Sequence, residues 1–211
     1  MIKMKLKICG MKYPENIQDI STLEPDYLGF IFWDKSKRYF ELTELPKLNS
    51  NIKKVGVFVN ATLEEILDKL ETFQFDTIQL HGQESPDFCK TVQELKVEVI
   101  KAFSISENFD FDELITYENS VDYFLFDTKG KKPGGNGISF DWELLESYSL
   151  TKPFFLSGGI GLTSIDAIKT FLSKTVAQYC YGVDVNSRFE KKPGFKNFSK
   201  LKRFKKSLYE N

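Results

Sequence analysis

The chain has 211 residues, and its 29 Lys and Arg against 30 Asp and Glu give a net charge of −1. This balance excludes attraction to nucleic acid or to a membrane surface by bulk charge. Hydrophobic residues make up 41% of the chain and include 20 Phe, so a large core can form and disorder is excluded. The longest apolar run, from Tyr27 to Trp33, is too short to cross a membrane.

The few cysteines and the single histidine limit the kinds of site. Cys9, Cys89 and Cys180 are too few and too scattered for a disulfide framework, and His81 alone excludes a site that needs two histidines. We expect no metal and no cofactor. The first residues alternate Lys with apolar residues, which is not typical of a signal peptide. We therefore expect a cytoplasmic protein, monomeric or homodimeric, with a small-molecule ligand.

Strand-like and helix-like segments alternate along the chain. Apolar runs rich in β-branched and aromatic residues predict eight strands. They lie near 4–9, 26–32, 53–59, 75–81, 97–103, 121–127, 153–157 and 177–183. Helices are predicted to start at Pro14, at Thr62 or Asn60 with Glu65 completing a capping box, and at Ser85-Pro86. Further helices are expected at 108–118, 141–148 and 163–172, with a last apolar stripe from Phe195 to Leu208.

This alternation predicts the fold class. Strands that alternate with helices form a parallel sheet covered by helices, and eight such units close a (β/α)8 TIM barrel. We expect one domain over residues 1–211. The weakest unit is the second, where 41–49 holds only a short helix ended by Pro46. The alternative is an open, doubly wound sheet of five to seven strands.

Polar residues at the carboxyl ends of the strands are the candidates for chemistry, because barrel active sites lie there. On the first strand, Leu6 and Ile8 suit the helix-facing side, which turns Lys7 and Cys9 toward the barrel axis. A neighbouring ammonium favours the thiolate, so Cys9 is a candidate acid–base group near neutral pH. The other interpretation is a small buried apolar residue.

Two more strands end in candidate residues. On the sixth, Asp127 alternates with Phe124 and Phe126 and points into the barrel mouth, although a helix cap or turn former is also compatible. On the fourth, Gln79 and His81 face inward, and His81 either contacts substrate or is structural. The Gly134-Gly135-Asn136-Gly137 segment lacks the spacing of a phosphate-binding motif and is interpreted as a mobile loop.

The last two strand ends predict an anion site. Ser157-Gly158-Gly159-Ile160-Gly161 follows the seventh strand, and Asp184-Val185-Asn186-Ser187-Arg188 follows the eighth. Barrels that bind phosphosugars hold the phosphate here, on exposed backbone N–H groups and a short helix N-terminus. Ordinary turns are the alternative. After the second strand, Arg38 follows Lys35 and Lys37 and suits a carboxylate through bidentate pairing, unless the cluster is merely solvated.

Together these segments resemble the phosphoribosylanthranilate isomerases, barrel enzymes of tryptophan biosynthesis. The segments that carry the resemblance extend from the first strand to the last. They are Lys7-Ile8-Cys9-Gly10, Gly29-Phe30-Ile31-Phe32, Ser36-Lys37-Arg38-Tyr39, Val55-Gly56-Val57-Phe58-Val59-Asn60, Gln79-Leu80-His81-Gly82, Phe126-Asp127, Gly134-Gly135-Asn136-Gly137, Ser157-Gly158-Gly159-Ile160 and Gly182-Val183-Asp184.

The resemblance implies an Amadori rearrangement of N-(5'-phosphoribosyl)anthranilate to 1-(2-carboxyphenylamino)-1-deoxyribulose 5-phosphate. It implies Cys9 as general base and Asp127 as general acid. It places the anthranilate carboxylate at Arg38 and the phosphate at the loops that contain Gly158, Gly159, Asn186 and Ser187. We also expect His81 and Asp184 to bind the substrate. Two segments depart from the family. The loop before Arg38 is longer and more basic than usual. Arg188 stands where the family commonly has glycine, and it either adds positive charge near the phosphate or blocks a backbone contact to it.

Two rival functions follow from the same residues. One is a phosphosugar aldolase that forms a Schiff base on Lys101, at the end of the fifth strand. The other is a non-catalytic barrel that binds a phosphate ligand without turnover.

Overall fold

Eight parallel strands close a barrel in the computed structural model, which describes residues 4–128 and 142–210. The strands are β1 (Lys5–Ile8), β2 (Tyr27–Ile31), β3 (Lys53–Phe58), β4 (Thr77–Leu80), β5 (Glu98–Ile105), β6 (Tyr123–Thr128), β7 (Phe154–Leu156) and β8 (Cys180–Val185). Each strand pairs with the next one along the chain, and β8 pairs with β1 in the register Lys7 to Asp184. The predicted TIM barrel is confirmed, and the open sheet is excluded because no described edge of the barrel is left unpaired.

Five α-helices lie outside the barrel. They are α1 (Pro14–Ser21), α2 (Leu63–Phe73), α3 (Pro86–Gln93), α4 (Ile165–Phe171) and α5 (Phe198–Tyr209). The predicted start signals act as expected: Pro14 and Pro86 open their helices, and Thr62 forms the capping box with Glu65. None of the helices described in 4–128 and 142–210 is long and apolar enough to cross a membrane.

Three predicted helices differ from the observed structure. The expected helices at 108–118 and 141–148 are 3₁₀ helices, Phe111–Tyr117 and Trp142–Ser147. Their apolar residues recur every third position, as Phe111, Leu114 and Tyr117 do, which matches the three residues per turn of a 3₁₀ helix. The short helix expected at 41–49 is wrong, because this segment is irregular.

The last helix also begins later than expected. Phe195 belongs to a small antiparallel hairpin of β9 (Glu190–Lys192) and β10 (Phe195–Lys196), and α5 starts only at Phe198. Asn197 caps α5 by accepting a hydrogen bond from the Lys200 N–H at 3.0 Å.

The side chains of the strands alternate between two cores. Outward residues such as Leu6, Ile8, Phe124 and Phe126 pack against the helices. Inward residues fill the barrel, as Cys9, Tyr27, Val55, Val57, Ile100, Ala102, Leu125 and Phe155 do. The inward direction predicted for Cys9 is therefore confirmed. The inward polar residues at the carboxyl ends of the strands surround a cavity.

Candidate active site

A cavity of about 220 Å³ opens at the carboxyl ends of the barrel strands. All nine site residues predicted from the sequence line it: Cys9, Arg38, His81, Asp127, Gly158, Gly159, Asp184, Asn186 and Ser187. Five more residues complete the wall: Ile31, Val57, Gln79, Ser157 and Ile160. Strand ends far apart in sequence thus meet around one space large enough for part of a small molecule.

Cys9 lies above a buried ion pair. Lys7, fully buried one layer below Cys9, donates to Asp184 with 3.0 Å between Nζ and Oδ1. Burial alone lowers the pKa of Lys7, but the Asp184 carboxylate and Cys9 outweigh it and raise that pKa, so Lys7 stays charged. The lysine and its carboxylate are aligned because β1 and β8 pair at these two residues.

In the free protein, burial of Cys9 opposes the thiolate that the neighbouring lysine favours. Burial raises the pKa of the Cys9 thiol above its ordinary value, and the opposing effect of Lys7 is smaller. Lys7 is also engaged by Asp184, which removes part of its influence on the sulfur. The net effect on the Cys9 pKa is thus the one set by burial.

Asp127 faces His81 and Gln79 across the cavity. Nε2 of His81 lies 3.4 Å from Oδ2 of Asp127, and Nδ1 of His81 lies 2.8 Å from Nε2 of Gln79. With the Gln79 amide nitrogen donating, Nδ1 accepts and the imidazole proton sits on Nε2, toward Asp127. Oε1 of Gln79 is buried and has no hydrogen-bond partner among the described residues.

Arg38 reaches the cavity, and the neighbouring lysines do not. Lys35 and Lys37 are exposed and do not line the cavity. Arg38 is bound by Glu190, with 2.8 Å from Nε to Oε1 and 2.7 Å from Nη2 to Oε2. This bidentate pair raises the pKa of the guanidinium. Of the three basic residues in this loop, only Arg38 is placed to meet a ligand.

The loops after β7 and β8 form the opposite wall. Gly158 and Gly159 adopt φ angles of 92° and 64°, which side chains other than glycine rarely adopt. A Cβ on Gly159 would have no atom within 4 Å, so the space above this backbone is open. Among the described residues, neither N–H group has an acceptor. These glycines leave room and donors for an anion.

Arg188 lies beside this wall. If Gly161 carried a Cβ, that atom would be 3.3 Å from the Cβ of Arg188. The exposed arginine packs its stem over the glycine without filling the space above Gly159. The Gly134-Gly135-Asn136-Gly137 segment lies outside the described residues.

Lys101, the residue of the aldolase hypothesis, is outside the cavity. It is on the outer face of β5, 2% exposed, and its Nζ lies 3.1 Å from Oε2 of Glu84. Nζ also donates to the carbonyl of Gly82 at 2.8 Å. An ammonium held by a buried carboxylate and turned away from the ligand space cannot act as the Schiff-base nucleophile, so the geometry argues against this alternative.

Two polar residues around the site were not identified from the sequence. Glu190 and Lys196 lie on the β9–β10 hairpin and bind Arg38 and Asn186. A single glutamate in a lysine-rich loop gives no local signal, because its partners are distant in sequence. Among residues 4–128 and 142–210, no group of three or more His, Cys, Asp or Glu side chains is arranged to hold a metal ion.

Comparison with known proteins gives a consistent result. Residues 6–207 match the family model of N-(5'-phosphoribosyl)anthranilate (PRA) isomerase. The N-(5'-phosphoribosyl)anthranilate isomerase of Parabacteroides distasonis is 45% identical over 95% of this chain and 91% of its own, and that of Phocaeicola vulgatus is 40% identical over 92% of each.

A solved structure shares the fold. A phosphoribosyl anthranilate isomerase in complex with reduced 1-(o-carboxyphenylamino)-1-deoxyribulose 5-phosphate superposes with a TM-score of 0.79, at 30% identity, over 97% of this chain and 98% of that one. With the family match extending over nearly the whole chain and a closed barrel in common, this chain belongs to the N-(5'-phosphoribosyl)anthranilate isomerase family.

Proposed function

We propose that Cys9 and Asp127 catalyse the family reaction in this chain, with Cys9 as general base and Asp127 as general acid. As a family member, the chain is an isomerase of tryptophan biosynthesis that converts N-(5'-phosphoribosyl)anthranilate to 1-(2-carboxyphenylamino)-1-deoxyribulose 5-phosphate. The observation that carries the residue assignment is the shared cavity. An acid, a base, an arginine and two open glycines all line it.

The two ends of the substrate match two parts of the wall. The phosphate would bind the N–H groups of Gly158 and Gly159 and the side chains of Asn186 and Ser187, since backbone donors suit a dianion. The anthranilate carboxylate would bind Arg38, whose Nη1 and Nη2 edge remains open when Glu190 holds Nε and Nη2. The reacting sugar carbons would then lie between these ends.

The sugar hydroxyl groups have candidate partners in the middle of the cavity. The unpaired Oε1 of Gln79 can accept a hydrogen bond from a hydroxyl, which would remove the cost of leaving a buried acceptor without a donor. His81 and Asp184 line the same part of the wall and complete the proposed binding set.

In the first step Asp127 gives its proton to the ring oxygen of the ribose. The bond between C1 and the ring oxygen breaks as the anilino nitrogen lone pair forms a C1–N double bond, which gives an iminium ion. The Nε2 proton of His81, 3.4 Å from the Asp127 carboxylate, favours the negative charge that Asp127 acquires.

In the second step Cys9 removes the proton from C2. The C2–H electrons form a C1–C2 double bond and the C1–N π electrons return to nitrogen, so the product is an enolamine. Tautomerisation moves the hydroxyl proton from O2 to C1 and gives the ketone. The reacting form has the proton on Asp127 and a thiolate at Cys9, and the positive charge of the neighbouring iminium stabilises this thiolate against the effect of burial until it takes the C2 proton.

The test is direct. Purified protein is given N-(5'-phosphoribosyl)anthranilate, and the disappearance of its anthranilate fluorescence is followed against the uncatalysed rate. Turnover supports the assignment, whereas tight binding of the phosphosugar without turnover would identify the chain as the non-catalytic barrel considered above.

The remaining expectations concern cell location and assembly. We place the enzyme in the cytoplasm, and Cys9, Cys89 and Cys180 are all free thiols, as a reducing compartment requires. One of the related structures is of monomers generated from the dimeric enzyme of Thermotoga maritima. We expect a monomer or a homodimer here, to be measured by light scattering.

A further inference from the structure

Two charged side chains behind the cavity have no part in the proposed proton transfers. Glu190 begins β9 and Lys196 ends β10, and their side chains are 6% and 0% exposed. Their charged ends are 2.7 Å apart, from Nζ to Oε1. Burying two ionisable groups is costly, so a buried ion pair is weak evidence of a contribution to stability.

Glu190 fixes the orientation of Arg38. Its two carboxylate oxygens accept from Nε and Nη2 of Arg38, at 2.8 and 2.7 Å, which is a bidentate pair on one edge of the guanidinium. An arginine side chain has many rotamers in solution, and a planar two-bond contact selects one of them. The remaining Nη1 and Nη2 edge has no acceptor among the described residues, and Arg38 lines the cavity.

Lys196 fixes Glu190 and Asn186 together. Its Nζ donates to Oε1 of Glu190 at 2.7 Å and to Oδ1 of Asn186 at 2.5 Å. An ε-amino group in this position requires oxygen acceptors, so it holds the amide of Asn186 with the oxygen inward. The Nδ2 group of Asn186 is then left as a donor, and Asn186 lines the cavity on its phosphate side.

The hairpin that carries these residues is itself anchored. The buried amide of Asn16, on α1, binds both backbone groups of Lys196, with 2.6 Å to the N–H and 3.0 Å to the carbonyl. At the turn, Gly194 has a φ of 81° and donates its N–H to Oε1 of Glu190 at 3.0 Å. The carboxylate therefore has a fixed position relative to the barrel.

We propose that Glu190 and Lys196 are positioning residues for the two ends of the substrate. Glu190 holds Arg38 so that its open edge meets the anthranilate carboxylate, and Lys196 holds Asn186 so that its amide donates toward the phosphate. This inference rests on the proposed function, since it gives Arg38 and Asn186 the ligand groups assigned there. Neither Glu190 nor Lys196 touches the substrate.

The experiment compares Glu190→Gln, Lys196→Met and the control Glu41→Gln, whose carboxylate is exposed in an ion pair with Lys12. For each, kcat and KM for N-(5'-phosphoribosyl)anthranilate are measured, together with the inhibition constant of inorganic phosphate. Glu190→Gln should raise KM about tenfold, the lower limit for losing a charged hydrogen bond, with kcat within about threefold and phosphate inhibition unchanged. Lys196→Met should weaken phosphate inhibition as well.

A double-mutant cycle separates positioning from general damage. In the Arg38→Met background, Glu190→Gln should change KM by less than about twofold, because the residue it orients is gone. Equal effects of Glu190→Gln with and without Arg38 would overturn the proposal, as would an unchanged KM in Glu190→Gln. If Lys196→Met leaves the inhibition constant of phosphate unchanged, the proposed role of Lys196 is overturned.

Folding and function are kept apart by two further comparisons. If Glu190→Gln does not fold, Glu190→Asp, which keeps the charge on a shorter side chain, takes its place in the cycle. Failure of both to fold would assign the carboxylate to stability and overturn the proposal. An unmutated protein without turnover rejects the proposed function, whereas active unmutated protein with an unaffected Glu190→Gln variant rejects only this inference.

Discussion

Cys9 is a buried thiol above a buried lysine, and its ionisation determines how the rate depends on pH. The reactive form needs a proton on the acid and none on the base. At a pH between the pKa of the acid and that of the thiol, a rise in pH deprotonates the base as much as it deprotonates the acid, so the fraction of enzyme in the reactive form stays constant. Above the thiol pKa the base is already ionised, and only the loss of the acid's proton continues. Because burial raises the pKa of Cys9 above its ordinary value, kcat/KM should stay level through neutral pH and fall only in the alkaline range.

The thiol form can also be observed directly. The ultraviolet absorbance of a thiolate should be missing from the difference between unmutated protein and Cys9→Ala at neutral pH. A decline of kcat/KM that begins near neutral pH, together with thiolate absorbance there, would show that Lys7 outweighs burial.

Replacement of the proposed acid or base should affect the chemical step. Cys9→Ala and Asp127→Asn should each lower kcat by about 10²- to 10⁴-fold, the usual effect of losing general acid or base catalysis. Cys180→Ala is the matched control, since this half-buried cysteine does not line the cavity. Circular dichroism checks folding, and a variant that keeps near-normal turnover removes its residue from the mechanism.

Arg38 should contribute to binding more than to the reaction, because the carboxylate is remote from the carbons that react. Arg38→Met should raise KM by roughly 10- to 150-fold, the loss of a charged hydrogen bond, with a smaller change in kcat. Lys35→Met and Lys37→Met should leave KM unchanged, since both lysines are exposed and outside the cavity. A larger rise of KM in either lysine variant would move the carboxylate to that residue.

Buried contacts hold the loops that follow the barrel strands and so position the residues of the site. The loop after β4, which follows His81, is held by Glu84, whose carboxylate accepts from the N–H groups of Asn60 and Gly82 at 2.8 and 2.9 Å. Lys101 closes this arrangement with an ion pair of 3.1 Å. The loop is thus fixed by a carboxylate and a lysine that face away from the cavity.

Breaking this pair should destabilise the barrel. Lys101→Met leaves the Glu84 charge buried without its cation, which costs about 3–5 kcal/mol, whereas loss of the exposed pair of Lys174 and Glu146 should leave the free energy of unfolding almost unchanged. Urea denaturation of Lys101→Met and Lys174→Met measures both. Similar small losses in the two variants would mean that water reaches Glu84.

The whole barrel should unfold as one domain. We propose a single domain over residues 1–211, because every strand of the barrel is paired on both edges and the two cores extend around it. Loss of activity, far-ultraviolet circular dichroism and the fluorescence of buried Trp142, measured in a Trp33→Phe variant, should follow one transition in urea. Transitions at separate urea concentrations would instead indicate two independently unfolding parts.

Sequence alone determined the features that depend on local periodicity. The strand alternation at Lys7 and Cys9, and at Asp127 beside Phe124 and Phe126, predicted which side chains face inward, because successive residues of a strand point to opposite sides. Eight strands then favoured a closed barrel over an open sheet, which predicted that the strand ends meet. The sequence therefore predicted that the candidate residues lie around one cavity.

Tertiary structure alone decided the features that depend on long-range contacts and burial. The raised pKa of Cys9 follows from how deeply it is buried and from the ion pair of Lys7 with Asp184, 177 residues away. The pairing of Arg38 with Glu190 joins residues 152 positions apart, and no local pattern contains it. Desolvation and charge pairing depend on distances in space. The periodicity of a sequence therefore predicts where these side chains point, whereas their partners are known only from the tertiary structure.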